Sequence, residues 1–95
     1  MDEDESTFAA YSRDVFAPAG KLGIIVDSSK DGPIIHSIND DSPLVGEVFP
    51  GDYIIAIDGE DTSNWSAYNV TKLVALKSGS IRKLTLRSKN SDDLA

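Results

Sequence analysis

Apolar and polar positions in this chain fall into short alternating runs punctuated by glycine, proline and aspartate, the pattern of a small strand-rich domain. Ser12 to Ala17 sets Arg13, Val15 and Ala17 against Asp14 and Phe16, which suits a first strand on a sheet edge, ended by Pro18. Ile24, Ile25 and Val26 are β-branched and apolar and predict a second strand. Ile34, Ile35 and Ile38 predict a third, with His36 and Ser37 between them. Tyr53 to Ile57 predicts a fourth with Ile54 and Ile57 inward, and Asp58-Gly59 is a two-residue hairpin signal that returns the chain through Glu60 to Thr62. Arg82 to Arg87 predicts a closing strand, Leu84 and Leu86 inward and Lys83, Thr85 and Arg87 outward.

Two stretches carry helix signals. Ser42-Pro43 places an N-cap before a proline at the first helical position, predicting a short helix to about Gly46, after which Val48 and Phe49 are expected to pack inward. Ser66 is a second N-cap, after which Val70, Leu73, Val74 and Leu76 recur at helical spacing up to the stop at Ser78-Gly79. The organisation expected is a flexible acidic lead-in over 1–10, one domain over 11–89 and a flexible polar tail over 90–95.

Chemistry concentrates at Pro18 to Val26, where Gly20 and Gly23 bracket Lys21 and Leu22 just ahead of the second strand. Glycine permits backbone geometries in which successive N–H groups point into one concavity and hold an anion. A strand that leaves an edge open beside such a nest can pair with an extended peptide whose terminal carboxylate sits in it. Lys21-Leu22-Gly23-Ile24 resembles the Gly-Leu-Gly-Phe carboxylate-binding loop of PDZ domains. The likeness continues through Gly32-Pro33-Ile34-Ile35, Asp41-Ser42-Pro43, the block Pro50-Gly51-Asp52-Tyr53-Ile54-Ile55-Ala56-Ile57-Asp58-Gly59 and the helix from Ser66, so it spans roughly Ser12 to Ser88.

The resemblance implies a mainly β fold, a small partly open antiparallel barrel or sandwich of five to six strands capped by two helices. It implies a protein-interaction module that binds the C-terminal peptide of a partner by β-strand addition between the second strand and second helix. In that scheme the amides of Leu22, Gly23 and Ile24 bind the terminal carboxylate, and Lys21, Ile25, Val26, His36, Ala67, Thr71 and Val74 meet the peptide. Leu22, Ile24, Val26 and Val74 would line the pocket for its last side chain, the plain alternative for these four being core. His36 is either a contact to a ligand side chain upstream of the terminus or a solvent-facing strand residue. Ala67 falls where PDZ domains that select Ser or Thr at the third ligand residue from the end carry a histidine, and Tyr68 takes that place if the register differs by one. The basic residue frequent in the family ahead of the loop is replaced by Ala17, leaving Lys21 as the attraction for carboxylate. The alternative is a structural or dimerising module using the same strand edge for internal-motif or domain–domain pairing.

Composition narrows the remaining classes. Ninety-five residues fit one domain, and the absence of cysteine excludes disulfides, a thiolate nucleophile and a cysteine zinc site. The formal net charge of −7 opposes general nucleic-acid binding. Lys72, Lys77, Arg82, Lys83, Arg87 and Lys89 crowd the last quarter and read as a solvated face. Asp27-Ser28-Ser29-Lys30-Asp31-Gly32 has the spacing of a calcium loop's start, but Ile38 stands where the bidentate Glu belongs. No nucleophile elbow accompanies the single histidine, so no enzyme and no cofactor are expected. The acidic start lacks a signal-peptide pattern and no apolar stretch reaches spanning length, so a cytoplasmic, monomeric module without membrane insertion is expected, and the sequons at Asn64 and Asn69 are read as unused.

Overall fold

The computed structural model describes residues 12–88. The expected lead-in at 1–10, the tail at 90–95 and the domain limits at 11 and 89 lie outside the described residues. Six strands form one antiparallel sheet: β1 (Ser12–Ala17), β2 (Ile24–Asp27), β3 (Ile34–Ile38), β4 (Asp52–Ile57), β5 (Glu60–Asp61) and β6 (Arg82–Ser88). One helix, α1 (Ala67–Leu76), precedes β6. The strands run in the order β1-β6-β4-β3-β2, with β5 attached to β4, so the path is open and β1 and β2 are its two ends.

Alternation positions the core as the sequence pattern predicts. Val15 and Ala17 of β1 are buried while Phe16 between them is exposed, and Leu84 and Leu86 of β6 close over Ile54 and Ile57 of β4. The β4–β5 turn places Asp58 at φ 51° and Gly59 at φ 83°, two left-handed residues in succession, as a hairpin turn matched to strand twist requires. Ser66 caps α1 by accepting the Asn69 N–H at 3.2 Å, and Val70 is the helix's fully buried residue. Leu76, expected on the apolar face, is instead 74% exposed. It lies one turn beyond Leu73, on a second shallow cavity with Trp65, Asn69 and Lys72.

The expected first helix does not form. Val45 N–H reaches Ser42 O and Val48 N–H reaches Leu44 O, but Gly46 turns left-handed at φ 88° and ends the winding within one turn. The Ser42 hydroxyl accepts the Leu44 N–H at 2.9 Å, the bond a helix N-cap would make, on a turn that goes no further. Val48 is buried as expected, whereas Phe49 faces solvent with the Arg13 guanidinium 6.0 Å from its ring centroid. The reason lies at Asp52, buried at 3% exposure, whose Oδ2 accepts from Phe49 N–H at 3.0 Å and from Arg13 at 2.6 Å. Satisfying that carboxylate fixes the backbone of residue 49 and sends the ring outward.

Candidate functional site

The loop from Pro18 to Gly23 is held by hydrogen bonds to four of its carbonyls. Gly20 and Gly23 both adopt left-handed backbone, at φ 102° and 66°. Gly23 O accepts Asn39 N–H at 2.8 Å and Leu22 O accepts the Ser42 hydroxyl at 2.6 Å, so the 39–42 turn takes two carbonyls. Arg82 takes two more, those of Pro18 and Gly20, the latter at 2.8 Å. Gly20 N–H itself is tied to Ser78 O beyond α1, at 2.8 Å. Among the described residues the Leu22 and Gly23 amides donate no turn, loop or capping bond. A loop with four acceptors engaged and two donors left over favours an anion at those donors.

Opposite the loop, β2 has no strand partner on one edge among the described residues, and α1 packs beside it. A cavity of about 510 Å³ runs between them, lined by Gly20 to Ile24, Val26, Asn39, Arg82 and one stripe of the helix side, Thr71, Val74, Ala75 and Ser78. Those last four recur at the spacing of a single helix face. Ile24 and Val26 are half-buried and Ile25 is 51% exposed, so alternation in β2 turns the first two toward the helix and the third away.

Of the expected site residues, Lys21, Leu22, Gly23, Ile24, Val26, Thr71 and Val74 come together around this cavity. Ile25, His36 and Ala67 do not line it. Ala67 is the first helical residue, its N–H donating to Ser28 Oγ at 2.7 Å, and it stands one turn ahead of Thr71. Tyr68, the alternative for that place, is 71% exposed with the Lys72 ammonium 5.9 Å from its ring centroid, and it too lies outside the cavity lining. His36 is the extra residue of a bulge between β2 and β3, where Ile25 pairs Ser37 but Val26 pairs Ile35. Its Nδ1 lies 3.2 Å from Asp27 Oδ2, both side chains exposed.

Arg82 is the residue that sequence reasoning missed, having been counted in the solvated basic face. It is 1% exposed, and its guanidinium donates to Val74 O at 2.9 Å as well as to Pro18 O and Gly20 O. Desolvation pulls its pKa below the ordinary arginine value, against a smaller upward pull from Asp58. Its inward place in the alternation with Leu84 and Leu86 was the available signal. Asn39, Ala75 and Ser78 were also missed, though the last two follow from Thr71 and Val74 by helical spacing.

The family model for the PDZ domain matches residues 14–87. The PDZ domain of choanoflagellate GIPC bound to GAIP peptide superimposes with a TM-score of 0.72 at 23% identity, over 81% of this chain and 89% of that one. INAD PDZ3, in complex with a TRP channel tail, gives a TM-score of 0.75 at 22% identity, over 93% and 99%. The choanoflagellate (Monosiga brevicollis) Dlg1 PDZ3 gives 0.71 at 23% identity, over 81% and 87%. No curated protein sequence is significantly similar to the chain. No helix among the described residues is long and apolar enough to cross a membrane. With the family match running from the first strand into the last, the chain belongs to the PDZ domain family, non-enzymatic peptide-binding modules of protein–protein interaction.

Proposed function

We propose that this domain, as a monomer, binds the C-terminal peptide of a partner protein as an added strand on β2, antiparallel to it and walled by α1. The terminal carboxylate is received by the amides of Leu22, Gly23 and Ile24. The observation that carries this reading is the loop's division of labour: the carbonyls of Pro18, Gly20, Leu22 and Gly23 are all engaged within the domain, while the Leu22 and Gly23 amides have no loop partner among the described residues. Charge-assisted hydrogen bonds contribute about 1.5–3 kcal/mol each, so a free carboxylate outweighs any single apolar contact in this groove. The last ligand side chain then enters between Leu22, Ile24, Val26 and Val74, the last three half-buried without a ligand. Lys21, Ile25, His36, Ala67 and Thr71 act on the peptide from the rim, His36 and Ile25 from the outer side of β2.

The test is a screen against random C-terminal peptides, with the tightest binder remade as free acid and as amide. Titration calorimetry is expected to give a dissociation constant on the order of micromolar for the acid, as small interfaces of this kind do, and marked weakening for the amide. Equal affinity for the two forms removes the carboxylate from the mechanism and leaves the strand edge for internal-motif or domain–domain pairing.

A further inference from the structure

Arg82 is a charge without a counter-charge. It is 1% exposed, yet it belongs to none of the ion pairs among the described residues. Three neutral carbonyls, on Pro18, Gly20 and Val74, accept from its two terminal nitrogens, and its Nε has no hydrogen-bond partner. Neutral acceptors satisfy N–H groups but leave the net charge unneutralised, and a buried, uncompensated guanidinium is costly to the folded chain. Asp58, the acid that acts on it through space, is already occupied by the Lys83 N–H at 2.8 Å and the Lys77 ammonium at 3.1 Å. Arg82 also lines the cavity between the loop and α1. The cation therefore lies beneath the wall of the space where a peptide's end would lie, acting on it through space rather than by a hydrogen bond, and burial shields it from the salt screening that weakens an exposed charge such as that of Lys21.

We propose that Arg82 is the positioning residue and fixed cation of the carboxylate site: it draws the Pro18 and Gly20 carbonyls onto itself, which sets the loop amides toward the ligand, and its unpaired charge selects peptides that end in a free carboxylate. This inference rests on the carboxylate-binding reading above. It transfers the electrostatic role from Lys21, in the loop, to the first residue of β6, 64 and 62 residues after the carbonyls it holds. A guanidinium suits the task because the two nitrogens of its planar fork donate to loop and helix carbonyls at once and it stays protonated despite burial.

The experiment uses the tightest peptide of the random C-terminal screen as acid and as amide, with the ¹⁵N-labelled domain. In the wild-type domain the Arg82 Nε–H resonance is expected to shift on addition of the acid and to stay in place with the amide. Arg82→Met is expected to lower affinity for the acid about tenfold or more and for the amide less than about threefold, so the acid/amide ratio collapses. Arg82→Lys, which keeps the charge and loses the fork, is expected to fall between. Lys83→Gln removes an equal charge from the same strand and is expected to leave the ratio unchanged. A purely structural Arg82 would weaken both peptides alike. An Arg82→Met domain that keeps the wild-type ratio overturns the inference, as does an Nε–H signal indifferent to the acid. The second readout needs no variant, so it decides the matter if Arg82→Met does not fold. A wild-type domain that fails to distinguish acid from amide overturns the carboxylate reading and this inference together; discrimination that survives loss of Arg82 overturns this inference alone.

Discussion

The Ser42 hydroxyl donates to the Leu22 carbonyl across 2.6 Å while accepting the Leu44 N–H at 2.9 Å, joining the turn after β3 to the loop before β2. Ser42 is 8% exposed and Leu22 4%, so neither partner can exchange the other for water. Ser42→Ala leaves a buried carbonyl and a buried amide unsatisfied, an expected loss of about 1–3 kcal/mol. Because the lost bond holds the loop, peptide affinity is expected to fall as well. Urea midpoints and titration calorimetry on the same protein check both; unchanged affinity in a destabilised variant shows that the bonds to Asn39, Ser78 and Arg82 fix the loop without Ser42.

Gly32 and Gly46 separate two costs that glycine avoids. Both have positive φ, 116° and 88°, but a Cβ on Gly32 would sit 2.7 Å from the Ser63 carbonyl oxygen, whereas one on Gly46 meets nothing within 4 Å. Gly46→Ala is expected to lose about 1 kcal/mol, the backbone cost alone. Gly32→Ala adds displacement of the segment before α1 and is expected to lose about 2–4 kcal/mol. Thermal melts of the two variants give the comparison, and equal losses would mean that the 63 region yields freely.

Elements whose signal is local were legible in the sequence, and those settled by distant partners were not. Asp58-Gly59 specifies its own turn because both residues tolerate the left-handed region, and Ser66 caps α1 through a bond three residues away. Leu84 and Leu86 follow from alternation. The same alternation places Arg82 inward, but hydropathy argues against burying an arginine, and the carbonyls that accommodate it belong to Pro18, Gly20 and Val74. Ser42-Pro43 carries a sound helix-start signal, and the Ser42 hydroxyl does accept the Leu44 N–H, but the left-handed Gly46 ends the winding within one turn. Phe49 was expected inside on hydrophobicity, yet the buried Asp52 fixes its backbone. The loop was read from two glycines; the engagement of its carbonyls needed the fold.

Acid should destabilise the domain through Asp58 and Asp61. The Lys83 backbone N–H, reinforced by the Lys77 ammonium, holds the Asp58 carboxyl below its ordinary value, and the Ser63 hydroxyl and N–H do the same for Asp61. A carboxyl depressed in the folded state contributes stability that is present above the unfolded value of 3.8 and is lost as pH falls through the folded pKa. Urea midpoints are therefore expected to drop below about pH 4. Asp58→Asn, which keeps a residue tolerant of φ 51°, should flatten that drop, and an unaltered pH profile would assign it to other carboxyls.

Ala67 is expected to set what the groove asks of the third ligand residue from the end. It opens α1 one turn ahead of Thr71 and offers no side-chain donor, so the domain is expected to be permissive at that ligand position. Ala67→His introduces an imidazole on the helix face that continues through Thr71 and Val74, within reach of a ligand hydroxyl. One neutral hydrogen bond contributes about 1 kcal/mol, so preference for Ser or Thr over Val at that position should rise about fivefold. Tyr68→His is the matched control, since Tyr68 is 71% exposed with Lys72 against its ring, and it should leave the preference untouched. Peptide arrays of both variants decide: a shift with Ala67→His alone places the peptide against this face of α1, and a shift with Tyr68→His alone would give that place to Tyr68, one residue on.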